Sequence, residues 1–486
     1  MATKKTAAKK TTAKTTAKTK MISEGELSEL NFPDAPKIVT KSVPGPKTKK
    51  MWDEAMKYES PTRVGGVYLP FVWESALGST IKDPDGNVFV DLTGGLGVNN
   101  TGHTHPKVVQ TIIEQAPKLM HTLDMPNAPE IKLARMLAGI MPGKLKNNCF
   151  TCFATSGSAA IEIAIKYAKY VTKRPEIIAY QGGYHGIYNG SLALTTAAHY
   201  RMGYGPFMPG VTHLPYAYCY RCFAGLQYPS CGMACAKYGD SILNGPYTGV
   251  YEPAAVIVET FQGEGGYLIP PKEFYPMIRE MCDKSGALMV VDEIQCGFGR
   301  SGKMWAIEHY GVTPDIVVWG KGVGGDQPLT GVTMNAKYQG MLDPGSQPAT
   351  FVGNALSCAV GVTNIELMTD PQDNLMGRAA EVGAKMLAKM EAAGKDSAVI
   401  GDVRGKGFYL SMEIVKSKET REPADAMKMF GLMTQMLDQG YVSFVCGRSG
   451  NVFRLMPPLT TPYDYFDAAV DALIATVKRN EVDLQS

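Results

Sequence analysis

The chain has 486 residues, of which 45% are hydrophobic and 20% charged, and its formal net charge is +3. That composition belongs to an ordinary globular protein with a large core, and it excludes collagen-like, disulfide-scaffold and wholly disordered chains. No apolar run reaches the roughly 18 residues of a membrane-spanning helix, and no segment has the pattern of a secretory signal, so the ten cysteines are expected as reduced thiols in the cytoplasm.

The first twenty residues contain only Met, Ala, Thr and Lys, with seven lysines and no acidic side chain. Removing them leaves −4, so the basic charge belongs to this tail. Such a segment cannot bury enough apolar area to fold, and residues 1–22 are expected to be a disordered tail making at most a weak polyanion contact. From Leu27 to Trp73 the sequence is rich in Pro and Lys and is expected to drape over the surface. The pieces Thr80-Ile81-Lys82-Asp83 and Val88-Phe89-Val90-Asp91, joined by Asp85-Gly86-Asn87, predict a hairpin.

From about Leu96 to Asp343 strand-like and helical patterns alternate, which predicts a mainly parallel sheet with crossover helices. Within it, Ser156-Gly157-Ser158 precedes the helical stretch Ala159 to Ile165, a helix start suited to an anion and, equally, to a plain serine cap. The runs Ala254 to Glu259 and Leu288 to Asp292 read as buried strands. Residues 23–95 are assigned to the N-terminal part of a small domain, 96–347 to the large domain and 348–486 to the rest of the small one. This last part holds Gly407 to Met412 and a final helix from Pro462.

Two cysteine pairs, Cys219/Cys222 and Cys231/Cys235, have spacing compatible with zinc or an iron–sulfur cluster. Cys149 and Cys152 also read CxxC, but they lie in a strand-like run and are expected to face opposite ways.

The chemistry is concentrated at two strand ends. Leu288-Met289-Val290-Val291-Asp292 stops at a carboxylate, and Ile316-Val317-Val318-Trp319-Gly320-Lys321 stops at an amine followed by glycines. Ligands of open α/β sheets bind at the carboxyl ends of strands. A lysine and an aspartate there suit pyridoxal 5′-phosphate: the amine can form a Schiff base with the aldehyde, and the carboxylate can keep the ring nitrogen protonated.

Further motifs occur in a telling order: Asn100-Thr101-Gly102-His103-Thr104-His105-Pro106, Thr155-Ser156-Gly157-Ser158-Ala159-Ala160, Tyr184-His185-Gly186, Asp292-Glu293-Ile294-Gln295 and Gly320-Lys321-Gly322. From about Val67 to near its end the chain resembles the class III, ω-amino-acid aminotransferases, in particular the 4-aminobutyrate aminotransferase type. The resemblance implies fold type I: a mainly parallel sheet of the seven-stranded type in a large domain, with a smaller α/β domain. It implies that Lys321 and Asp292 are catalytic, with Ser156, Gly157 and Ser158 on the phosphate, Tyr184 stacked on the ring, and Ile294 on its other face. His185, Glu259 and Gln295 would complete the cofactor shell, with Gln295 near the ring hydroxyl. Thr350 would reach the phosphate of a neighbouring subunit, which implies a homodimer.

Leu96, Glu264 and Arg454 are the implied substrate residues, the last two acting as a gate over a carboxylate site. The implied reaction is a ping-pong transfer of an amino group from an ω-amine or ω-amino acid to 2-oxoglutarate or pyruvate. Relatives that racemise, epimerise or decarboxylate with the same lysine are the alternative, and a cofactor domain decayed into a binding module is a remoter one. The chain departs from the family's pattern at Ile187, where 4-aminobutyrate, ornithine and acetylornithine enzymes place a carboxylate-binding arginine after the His-Gly pair. Arg63 or a partner-subunit residue could supply that charge.

Overall fold

The computed structural model describes residues 21–62 and 69–486. Its centre is a seven-stranded sheet in the order Cys149–Ala154, Thr330–Asn335, Ile316–Trp319, Leu288–Asp292, Pro253–Glu259, Glu176–Tyr180, Val211–Leu214. Thr330–Asn335 runs antiparallel to both its neighbours, and the other adjacent pairs are parallel. The expected mainly parallel sheet is therefore present. Pro253–Glu259 and Leu288–Asp292 are buried along their whole length, as uninterrupted apolar runs require when helices cover both faces. Cys149 packs into the apolar cluster on one face of this sheet and Cys152 into that on the other, as their spacing predicted.

Thr80–Lys82 and Val88–Asp91 form the predicted hairpin, with Gly86 at φ +94 in its turn. The hairpin extends into a four-stranded sheet whose last strand, Tyr441–Val442, pairs in parallel with Val88–Asp91. A third sheet has the order Ile400–Lys406, Tyr409–Ile414, Val452–Leu455, Phe444–Cys446. Helix Tyr463–Arg479, capped at Pro462, closes the apolar cluster behind these two smaller sheets.

The segment expected to drape is partly helical. Pro46–Tyr58 forms a 13-residue helix that starts with Pro inside its first turn and buries Trp52. The Asp85 carboxylate accepts from the Lys47 and Thr48 amides and holds the helix start to the hairpin turn. That long-range cap left no local signal in a stretch dominated by lysine. The basic tail to Lys20, Arg63 and Val67 lie outside the described residues.

Candidate active site

Three neighbouring parallel strands end with titratable side chains on one side of the sheet. Glu259 is paired in register with Asp292, and Asp292 with Val318, so Lys321 emerges just beyond the adjacent strand. Asp292 is buried. Its Oδ2 lies 2.9 Å from Nδ1 of His185, and its Oδ1 accepts from the Ile294 amide at 3.0 Å. Burial alone would lower the pKa of His185, but the hydrogen bond and charge of Asp292 outweigh it and raise the value.

Glu259 accepts from the amides of Tyr184 at 2.8 Å and Gly263 at 2.9 Å. Its burial pushes the carboxyl pKa up to about 7.

Lys321 keeps some contact with solvent along its length, yet the protein packed around its amine lowers the pKa to about 8. Burial is the largest cause; Arg454 adds to it, while Glu264, Asp292 and Glu259 oppose it. The amine thus lies in the combined field of three carboxylates and one guanidinium. The turn carrying it is braced by Asn99 and Asn100. Asn100 packs against Gly322 and donates to the Phe298 carbonyl at 2.7 Å, and Asn99 donates to Asp326 at 2.6 Å. These contacts join residues distant in sequence, so no local pattern points to them.

Ser156 caps the 16-residue helix Gly157–Thr172, its hydroxyl accepting from Ala159 at 3.2 Å. Free amides and the dipole at that end favour an anion. Gly157 abuts Ile294, since a Cβ there would lie 3.1 Å from Ile294 Cδ1. Gly186, at φ +120, packs so closely that a Cβ would lie 2.3 Å from Ser158 Oγ, and that hydroxyl accepts from Ile187 at 3.1 Å. The helix start, the Tyr184-His185-Gly186 turn and the strand end at Asp292 are therefore one assembly. The Tyr184 ring is half-buried and packs against Tyr200, centroids 5.0 Å apart. Tyr200 was not foreseen, because Ala-His-Tyr-Arg carries no periodic or motif signal.

The Glu264 carboxylate and the Arg454 guanidinium form an ion pair that joins the large sheet to the third sheet. Burial would raise the Glu264 pKa, but the charge of Arg454 and their hydrogen bond lower it overall. Leu96 is half-buried in a loop of left-handed residues, and the neighbouring Gly97 lies against Met456 and Gln295. Thr350 is exposed, in the turn before helix Ala355–Thr369. Ile187 and Tyr188 are also exposed.

This constellation of amine, carboxylate and anion-binding helix start fits pyridoxal phosphate by its donor set. Comparison with known proteins agrees. The family model "Aminotransferase class-III" matches residues 63–477. The chain belongs to the class III aminotransferases. It is 33% identical over 435 residues to diaminobutyrate–2-oxoglutarate aminotransferase of Rhizobium meliloti, spanning 88% of this chain and 92% of that protein. It is also 32% identical over 460 residues to the alanine/serine racemase of Pyrococcus horikoshii, spanning 93% and 94%. A Bacillus anthracis aminotransferase structure superposes with a TM-score of 0.81 at 27% identity, covering 89% of this chain and 99% of that one. Pyridoxal phosphate is the cofactor of this class.

The metal expectation is not met. Among the described residues no three His, Cys, Asp or Glu side chains are grouped to hold a metal ion. Cys219, Cys222, Cys231 and Cys235 are free cysteines. Other contacts hold this loop. Arg221 Nε donates to buried Glu413 at 2.6 Å, the Tyr218 hydroxyl also donates to Glu413, and Tyr220 and Cys235 pack against the main apolar cluster. Among the described residues no helix is long and apolar enough to cross a membrane.

Proposed function

We propose that this aminotransferase moves an amino group from an ω-amine or ω-amino acid to a 2-oxo acid such as 2-oxoglutarate or pyruvate. The observation that carries the reading is the placement of Lys321 Nζ in the shared field of Asp292, Glu259 and the Glu264–Arg454 pair.

The residues divide the work as follows. Lys321 would anchor pyridoxal phosphate by its amine, and the helix start at Ser156, Gly157 and Ser158 would take the phosphate. Tyr184 and Ile294 would hold the ring between them, and Gln295 would meet its hydroxyl. When bound, the cofactor supplies an electron sink for the pair released at the carbon bearing the amine. Asp292, held by His185, would meet the ring nitrogen with its carboxylate. Lys321 Nζ would take the proton from the carbon bearing the amine and return it; its pKa, lowered to about 8, suits this exchange close to neutral pH. Arg454 receives the carboxylate of the 2-oxo acid after Glu264 swings away, and Glu264 covers it again when an ω-amine occupies the site.

Ile187 cannot make the paired hydrogen bonds that an arginine makes with a carboxylate. The donor therefore either lacks a distal carboxylate or has it bound elsewhere. In this reading the enzyme is a cytoplasmic homodimer, with Thr350 of one protomer completing the other's phosphate site. The small domain comprises residues 23–95 and 348–486 around the large domain at 96–347, and the basic tail makes a weak polyanion contact.

Similarity to a racemase over nearly the whole chain keeps amino-acid racemisation or epimerisation as the second reading. Single amino compounds mixed with the enzyme, with no oxo acid present, separate the two. A transaminase converts the cofactor stoichiometrically to its amine form and stops. Indefinite exchange of the α-hydrogen for deuterium, with inversion and no amino transfer, would decide for racemisation.

A further inference from the structure

Gln295 follows the strand that ends in Asp292, and its side chain meets an aromatic pair from outside that strand. The Tyr409 hydroxyl donates to Gln295 Oε1 at 3.1 Å. Tyr409 is fully buried on the strand Tyr409–Ile414, and its ring stacks on Tyr267 at 3.9 Å between centroids and 10° between planes. The Tyr267 hydroxyl is in turn directed to Met456 Sδ at 3.3 Å. The ring of Tyr409 is thus held by its stack on Tyr267, which Met456 holds in turn. Gly263 leaves room for the contact: a Cβ there would lie 2.1 Å from Gln295 Oε1 and 3.3 Å from the Tyr409 hydroxyl.

A carboxamide has one accepting end and one donating end. With the Tyr409 hydroxyl donating to Oε1, the NH2 group faces the other way. We propose that Tyr409 is a positioning residue that locks the Gln295 amide with its NH2, not its carbonyl oxygen, toward the ring hydroxyl oxygen of pyridoxal phosphate. The inference rests on the reading that Gln295 meets that oxygen. Burial raises the Tyr409 phenol well above its ordinary pKa, so it remains a donor across the working pH range. A carboxamide free to turn would present oxygen to oxygen part of the time. A donor at this point stabilises the ring oxygen as its anion and lowers the pKa at which the bound cofactor's visible band titrates.

The test is a pH titration of that band in the holoenzyme of the wild type, Tyr409→Phe, Gln295→Leu and the double variant. Tyr409→Phe keeps the ring stacked on Tyr267 and deletes only the hydroxyl. It is expected to raise the midpoint by roughly 0.3 to 1 pH unit, the range of one hydrogen bond. Gln295→Leu is expected to raise it at least as far, and the double variant no further than Gln295→Leu alone, because the two act through one contact. The thermal midpoint of each apoprotein reports folding, and Tyr409→Met serves if the phenylalanine variant is unstable. A shift with Gln295→Leu but none on removing the Tyr409 hydroxyl overturns the proposal and leaves the role of Gln295 standing. No shift with Gln295→Leu overturns both.

Discussion

The carboxylate of Asp292 lies 2.9 Å from Nδ1 of His185, and both side chains are buried. A buried carboxylate is costly unless hydrogen-bonded or paired. Here the imidazole and the Ile294 amide satisfy its two oxygens. Asp292→Asn keeps the shape and removes the charge. It is expected to lower turnover by about two to four orders of magnitude, in the range for loss of a group that stabilises developing charge. Steady-state kinetics beside the apoprotein's thermal midpoint check it; turnover within tenfold of wild type counts against a role at the ring nitrogen.

Arg454 and Glu264 form the pair that the reading treats as a gate. Arg454→Lys keeps the charge but loses the planar fork that matches a carboxylate. The expected outcome is a rise in KM for 2-oxoglutarate of roughly 10- to 100-fold, as for loss of a charged hydrogen bond. The amine half-reaction, followed by conversion of the cofactor alone, should change far less. Equal loss in both half-reactions would show a structural bridge instead.

The Lys321 amine has its pKa lowered to about 8, chiefly by burial. The sign is that a lowered ammonium pKa makes the free amine available at a lower pH. In the apoprotein, competitive acylation of Lys321 should therefore rise with pH through a midpoint near 8. Ordinary exposed lysines titrate at about 10.4. Digestion and mass spectrometry read each lysine separately, and a Lys321 midpoint above 10 contradicts the electrostatics described.

The sequence reading and the structure agree best where a signal is local. The apolar runs ending at Asp292 and Lys321, the Asp85-Gly86-Asn87 turn and the serine before Gly157–Thr172 all lie where a strand, a hairpin and a helix start were expected. What escaped depends on contacts distant in sequence. The helix Pro46–Tyr58 is capped by Asp85, Asn100 braces Gly322, and Tyr409 reaches Gln295 across two sheets. The cysteine pairs misled because sequence spacing does not set the geometry of a metal site: the four thiols are near enough to feel one another's charge, yet among the described residues they form no metal-holding group. Arg221 and Tyr218 tie that loop down through Glu413.

The twenty-residue tail carries seven lysines and no acid. Removing residues 1–20 is expected to leave turnover unchanged within error and to abolish salt-sensitive retention on heparin. A chromatographic salt gradient and an activity assay on both forms check it.

Borohydride reduction shows which lysine holds the cofactor. The holoenzyme is reduced with borohydride, digested and mapped by mass spectrometry. The expected result is loss of the visible band and a single peptide, containing Lys321, heavier by the reduced cofactor. A Lys321→Ala protein should give no such adduct. A stable adduct on another lysine, or wild-type turnover in Lys321→Ala, would contradict it.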